Sequence, residues 1–300
     1  MDFFKYIKAV GTGPKGNRNL SYDEMIDCMS QILDQKIYSE QICAFLLGWR
    51  LQEETSEELK GALKAFDKYI KRTTIKNSIE LGHAFDGKQK QPYLFTKIAP
   101  YLKKFDINLV ISYDYTQPAK DGITTKKVYE YYKNSNQNSN LYYFNREDYC
   151  KNLSTLTQTR QKLGLRTGLN TIEKLLNPAS SSYAITGAFH KPYVKKYLDL
   201  FNEYYKNFVV VKGAEGSCEF FKNSKYWIKN GDEIEEYDIN LDYFGIKYDK
   251  KYDNISLDQM NEALLNPTKD LEKLIKLNAA LLLIVAKKTS NIKDAYELIV

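Results

Sequence analysis

Histidine is scarce in this 300-residue chain: His83 and His190 are the two it has. Cysteine is scarce as well, and Cys28, Cys43, Cys150 and Cys218 are scattered with no Cys-x-x-Cys pair among them. A zinc site needs clustered ligands, so a His-rich or Cys/His centre is not expected. The four cysteines read instead as free thiols of a reducing cytoplasm. Long apolar runs are missing. The longest, residues 279–286, falls far short of the ~20 residues that span a bilayer, so no membrane partner is expected. The opening Met1-Asp2-Phe3-Phe4-Lys5 has no basic stretch leading into an apolar core, and no secretory leader is expected.

Lysine and arginine are missing from residues 231–246, which carry Asp232, Glu233, Glu235, Glu236, Asp238 and Asp242. The net charge is +6, so the rest of the chain stands at +12. That excess favours a polyanion partner through long-range attraction; a basic surface with no such purpose is the alternative. Hydrophobic residues at 43% and charged residues at 27% suit a soluble globular protein with a substantial core. At roughly 150 residues per domain, the length points to two domains or one large one.

Residues 1–76 carry helical signals only. Ser21 and Glu24 fit a capping box ahead of Met25, Met29, Ile32 and Leu33. Ser39 can cap a helix that buries Ile42, Phe45, Leu46 and Trp49. Thr55 and Glu58 make a second box before Leu59, Ala62, Leu63, Phe66 and Ile70. The turn Gly11-Thr12-Gly13-Pro14-Lys15-Gly16 lacks the Gly-Lys-Ser/Thr ending of a phosphate-binding loop and reads as a link between helices.

From residue 79 the pattern changes. Short apolar runs at 79–81, 107–112, 141–144, 183–187 and 208–212 alternate with helical stretches, which predicts an α/β fold with a largely parallel sheet. Residues 134–140 read as a polar loop, and 271–287 and 292–299 as C-terminal helices.

Several segments, in order, resemble one family. They are Arg18-Asn19-Leu20-Ser21-Tyr22-Asp23-Glu24, Gln41-Ile42-Cys43-Ala44-Phe45-Leu46-Leu47 and Glu54-Thr55-Ser56-Glu57-Glu58-Leu59-Lys60-Gly61 near the start. The run from Leu163-Gly164-Leu165-Arg166-Thr167-Gly168-Leu169-Asn170 to Leu175-Leu176-Asn177-Pro178 follows, then Val211-Lys212-Gly213-Ala214-Glu215-Gly216 and Leu277-Asn278-Ala279-Ala280. Together they are similar to the anthranilate phosphoribosyltransferases, glycosyltransferase family 3. The resemblance implies a small all-α domain, residues 1–76 joined by 163–178, and a larger α/β domain over 77–300 with a mostly parallel central sheet. It also implies a homodimer formed through the helical domain.

The family's catalytic motifs are only partly matched. Its diphosphate cradle reads Gly-Thr-Gly-Gly-Asp-Gly, followed by Asn-Ile-Ser-Thr. Here Gly82, Asp86 and Gly87 remain, but Phe85 stands where a phosphate should lie. Pro92-Tyr93-Leu94-Phe95 replaces the hydroxyl-bearing run, and Pro92 has no N–H to offer. The second phosphate loop, Lys-His-Gly-Asn, becomes Ile111-Ser112-Tyr113-Asp114. The metal motif Asp-Gly-Leu-Asp-Glu reads Glu215-Gly216-Ser217-Cys218-Glu219. Glu215 and Glu219 are the candidate metal ligands, but Cys218 is a thiol where magnesium prefers oxygen. Asn177 and Arg166 remain from the substrate segment; Arg166 could grip an anion through its fork or simply hold a structural ion pair.

No catalytic residue is assigned with this pattern. The resemblance is closer to the family's non-enzymatic, nucleic-acid-binding branch. The expected function is therefore nucleic-acid binding, DNA or RNA, without strong sequence preference. The candidate contacts are Lys88, Lys90, Arg160, Lys162 and Arg166, with Tyr93 and Phe95 as stacking surfaces. Lys60, Lys64, Lys68, Arg72 and Lys76, at intervals of four, form either a second basic stripe or the solvated face of an ordinary helix. No cofactor is expected. Magnesium would be needed only if the chain were an active phosphoribosyltransferase of the tryptophan-biosynthesis type with an altered diphosphate site. An inert interaction protein is the other alternative.

Overall fold

A computed structural model describes residues 3–134 and 138–300. The chain opens with α1 (Phe4–Gly11), α2 (Tyr22–Leu33), α3 (Ser39–Leu51) and α4 (Ser56–Phe66). Both capping boxes form. The Glu24 amide donates to Ser21 Oγ at 3.2 Å and the Ser21 amide to Glu24 Oε2 at 3.0 Å. Thr55 and Glu58 make the same exchange at 3.2 and 2.9 Å. Each cap satisfies donors that the first helical turn would otherwise leave open, worth ~0.5–2 kcal/mol. The apolar faces read from the sequence are buried against one another.

The basic stripe is a correction. Helix α4 ends at Phe66, so Lys68, Arg72 and Lys76 do not continue the face that Lys60 and Lys64 begin. Acids also answer most of these cations: Lys64 and Arg72 each lie 3.0 Å from Asp67, Lys60 lies 3.6 Å from Glu203, and Lys68 lies 4.0 Å from Asp34.

Past residue 77 the described residues form one seven-stranded sheet. Its strands are β1 (Ser78–Gly82), β2 (Asn108–Tyr113), β3 (Leu141–Asn145), β4 (Tyr183–Gly187), β5 (Asn207–Val211), β6 (Ser224–Asn230) and β7 (Glu233–Ile239). The order is β3-β2-β1-β4-β5-β6-β7. The first five are parallel, while β6 and β7 add antiparallel to the edge. The protein thus has a small helical N-terminal domain and a larger α/β domain with a mostly parallel sheet. The hairpin of β6 and β7 was not expected. Its outer strand carries Glu233, Glu235, Glu236 and Asp238, and charge on an edge strand discourages pairing with another sheet.

Between the strands run α5 (Phe95–Leu102), α6 (Thr125–Tyr132), α7 (Arg146–Tyr149), α8 (Lys151–Ser154), α9 (Thr157–Leu163), α10 (Leu169–Ile172) and α11 (Lys191–Phe201). The chain closes with α12 (Leu257–Leu265), α13 (Lys269–Val285) and α14 (Ile292–Ile299). Alternate strand residues point to opposite faces. Ile79, Leu81, Val209 and Val211 face a core that holds α5, α13 and α14. Ala184, Phe208 and Val210 face a second core that is continuous with α1–α4. Leu169, Ile172, Leu175 and Leu176 belong to this second core, and so do Tyr149, Leu153 and Leu156. The chain that crosses back to the helical domain, expected as 163–178 and here called the crossing segment, therefore meets the helices from Tyr149 onward. Gly168 sits so close to the helical domain that a Cβ there would lie 2.4 Å from a Trp49 ring carbon.

Of the polar loop at 134–140, residues 135–137 lie outside the described residues. Asn138 donates to the carbonyl of Thr96, and Asn140 to those of Ala99 and Ile107. No helix among the described residues is long and apolar enough to cross a membrane.

Candidate anion-binding cleft

The loops that leave the C-terminal ends of β1, β2, β4 and β5 converge on the helical domain. This is the edge of a parallel sheet where ligands usually sit. Between the loops and the helices lies a cavity of about 580 Å³. Its walls include Phe85 and Asp86 from the β1 loop, Lys120 from the β2 loop, Phe189 and His190 after β4, Glu215 after β5, and Arg166, Thr167 and Lys174 from the crossing segment.

The β1 loop turns inward on its own charges. Phe85 is buried, with the Arg146 guanidinium 4.3 Å from the centre of its ring. Arg146 is itself buried and pairs with Asp114 and Glu173, and Arg160 grips Glu173 through both terminal nitrogens at 2.6 and 2.9 Å. Burial alone would raise the Glu173 carboxyl, but Arg160 and Arg146 hold it below its ordinary value. Asp86 accepts from Arg166 Nε at 3.1 Å and lies 3.7 Å from Lys120. Gly87 adopts φ +78°, and a side chain there would meet the Ile123 carbonyl at 2.6 Å. That close approach lets Lys88 and Ile123 exchange backbone hydrogen bonds at 2.9 and 2.8 Å.

The two glutamates of the expected metal motif are drawn to the backbone. Glu215 accepts from the amides of Gln89, Lys90 and Gln91 at 2.8, 3.0 and 3.1 Å. Glu219 accepts from the amides of Leu94 and Phe95 at 2.8 and 2.9 Å, and it also pairs with Lys88. The Cys218 thiol lies 3.7 Å from His83 Nε2. Burial pushes the thiol up; burial, then Lys88 and Lys174, pushes His83 down, so both groups are held neutral. Among the described residues, no three His, Cys, Asp or Glu side chains cluster as a metal centre requires.

These distances rearrange the candidate contacts. Arg166 faces the cleft half-exposed, Lys90 and Lys162 are exposed, and Gly82, Asp86 and Gly87 lie together on the β1 loop. Two candidates are corrected. Lys88 is enclosed by Glu219 and the rings of Tyr93 and Phe221, and Arg160 is locked on Glu173, so neither is open to a polyanion. Tyr93 and Phe95 are core residues and offer no stacking surface. Asn177 holds a turn: its side chain bonds the backbone of Ser181, and its amide donates to Glu80. Lys120, Lys174, Phe189 and His190 line the cleft without having been expected. The Phe189-His190 pair lies one residue past the end of β4, and its place at the end of a parallel strand was the available signal.

Residues 120–300 match the family described as "Glycosyl transferase family, a/b domain", and residues 5–69 match "Glycosyl transferase family, helical bundle domain". The chain belongs to this glycosyl transferase family. It is 26% identical over 320 aligned positions to an anthranilate phosphoribosyltransferase of Petrotoga mobilis, covering 97% of this chain and 90% of that one. It is 29% identical over 221 positions to an uncharacterized protein of Aquifex aeolicus, covering 73% and 71%. The crystal structure of the Thermus thermophilus anthranilate phosphoribosyltransferase superposes with a TM-score of 0.76 at 16% identity, covering 100% of this chain and 93% of the other. The Saccharomyces cerevisiae enzyme in complex with PRPP and Mg gives 0.74 at 14% identity, covering 99% and 92%. At such identities these structures speak for the shared fold. The family fold therefore persists around a β1 loop whose charges are engaged from within.

Proposed function

We propose that this protein is a non-catalytic member of its family that binds nucleic acid along the interdomain cleft, with little sequence preference. The observation that carries this reading is the internal use of Glu215 and Glu219. Magnesium needs open carboxylate oxygens in near-octahedral geometry. Both glutamates are already engaged by five backbone amides and Lys88, and Cys218 offers a neutral thiol. These residues do not fit the ion. Phe85 packed on Arg146 also leaves an apolar surface where a diphosphate would need donors.

The same wall keeps cations that a nucleic-acid backbone can use. Arg166 and Lys90 line the cleft, the first half-exposed and the second exposed; Lys162, outside the lining, is exposed as well, and neither lysine has a carboxylate within 4.0 Å among the described residues. Phosphate contacts of this kind set affinity without reading sequence. Phe189, also exposed, supplies a ring beside them. A homodimer through the helical domain, where Tyr38 and Leu51 are exposed, would present two clefts to one strand and raise affinity through effective concentration. The four free cysteines suit the cytoplasm. Oligonucleotide binding as a function of salt, with Arg166→Ala and Lys90→Glu variants, tests the reading.

A further inference from the structure

The two edges of the sheet are built differently. Carboxylates guard β7, whereas β3, Leu141-Tyr142-Tyr143-Phe144-Asn145, carries no charge at all. An uncharged aromatic edge strand is the kind that accepts another strand. Tyr142, Tyr143 and Phe144 are half-buried, so the strand is reachable from solvent. The Leu109 amide donates to the Asn140 carbonyl at 2.8 Å. In a parallel ladder a strand bonds its neighbour through alternate residues, so Tyr142 and Phe144 follow Asn140 in facing β2. The N–H and C=O of Tyr143, the C=O of Leu141 and the N–H of Asn145 then point off the sheet. Among the described residues none of these groups has a hydrogen-bond partner.

The ends of β3 differ in charge. At its start, the side chains of Asn138 and Asn140 hold the carbonyls of Thr96, Ala99 and Ile107. These bonds tie α5 and the turn after it to this end of the strand. Lys97, Lys103 and Lys104 lie on that stretch with no acid within 4.0 Å among the described residues. Its carboxylate, Asp106, accepts from the Asn77 side chain at 2.6 Å. At the other end Glu147 and Asp148 follow on α7, exposed and with no cation within 4.0 Å among the described residues. Of the neighbouring cations, Arg146 is buried on Asp114 and Glu173, and Lys151 opens α8.

We propose that β3 pairs antiparallel with the β3 of a second copy of this chain, about a two-fold axis at Tyr143. The two-fold sets the basic end of each copy against the acidic end of the other, and this self-complementary charge favours a second copy over a peptide from another protein. Tyr143 exchanges both of its free backbone bonds with its counterpart. Each Asn145 amide donates to the opposite Leu141 carbonyl, and Tyr142 faces Phe144 as a cross-strand aromatic pair. The pairing does not depend on nucleic-acid binding.

The test is analytical ultracentrifugation of the intact protein from about 1 to 100 μM. Wild type is expected to associate. Lys97→Glu, Lys103→Glu and Lys104→Glu together should weaken the association about tenfold or more, and so should Glu147→Lys with Asp148→Lys. An equal mixture of the two altered proteins should restore it, because each end again meets its opposite. Tyr142→Lys, which puts a charge on the edge strand itself, should weaken it about as much and serves if a reversed set does not fold. A wild type that stays monomeric overturns the pairing, whether or not its β3 captures an extended peptide. Association that neither set alters, a mixture that does not recover, or unchanged association in Tyr142→Lys does the same.

Discussion

The Lys88 ammonium and the Glu219 carboxylate meet in the interior, 1% and 2% exposed, at the amino terminus of α5. Glu219 thereby places a negative charge on the open amides of Leu94 and Phe95, the position at which a helix terminus attracts an anion. The protein supplies its own anion there, and Lys88 balances it. Removing one partner leaves a buried charge uncompensated, which typically costs ~3–5 kcal/mol. Lys88→Met is therefore expected to lower stability by about that amount in urea denaturation. Lys88→Met combined with Glu219→Gln should recover part of the loss. A single-variant loss below about 1 kcal/mol would show that the pair does not hold the loop.

Glu80 lies in the interior strand β1, accepting from the Tyr205 hydroxyl at 2.7 Å and the Asn177 amide at 3.2 Å. Burial pushes its carboxyl up to about 7 from an ordinary 4.5. Below about pH 4.5 it is protonated in folded and unfolded chains alike. Between about 4.5 and 7 the unfolded chain ionises while the folded chain keeps the proton, so this group's contribution falls as pH rises, by up to roughly 3 kcal/mol. His83, held down by burial, works in the opposite sense at the acid end. The difference between Glu80→Gln and wild type isolates the carboxyl. Glu80→Gln should gain stability relative to wild type from pH 5 to pH 8, and a flat difference across that range would contradict this.

Much of the fold was legible in the sequence. Ser21, Glu24, Thr55 and Glu58 announce their helices locally, and the five apolar runs coincide with β1–β5 to within one residue at each end. The hairpin of β6 and β7 was hidden because Glu233, Glu235, Glu236 and Asp238 dominate an edge strand that buries little. The site was less legible. Lys88 and Arg160 look like free cations in a linear chain, and only the fold brings Glu219, 131 positions away, onto one and encloses the other with Glu173. Lys174 gave no signal, because its environment is made of carbonyls from two distant loops.

Anthranilate phosphoribosyltransferase activity is expected to be absent. With anthranilate, phosphoribosyl diphosphate and magnesium, purified protein should form no phosphoribosyl anthranilate above the uncatalysed rate. Turnover in the usual enzyme range of ~1–10³ per second would mean that Glu215 and Glu219 release their amides to take the metal, and would favour the transferase reading.

The most direct test of the central claim is a salt titration of binding to unrelated oligonucleotides. Lys and Arg that neutralise phosphates release condensed counterions, so log affinity should fall linearly with log salt, by about 0.7 per contacted phosphate on single strands and about 0.9 on duplex. Binding at low salt is expected to vary little with sequence. The salt slope is expected to become shallower in Arg166→Ala and Lys90→Glu and to stay unchanged in Lys64→Glu on α4. No binding at low salt, or a slope that only the α4 change alters, would contradict it.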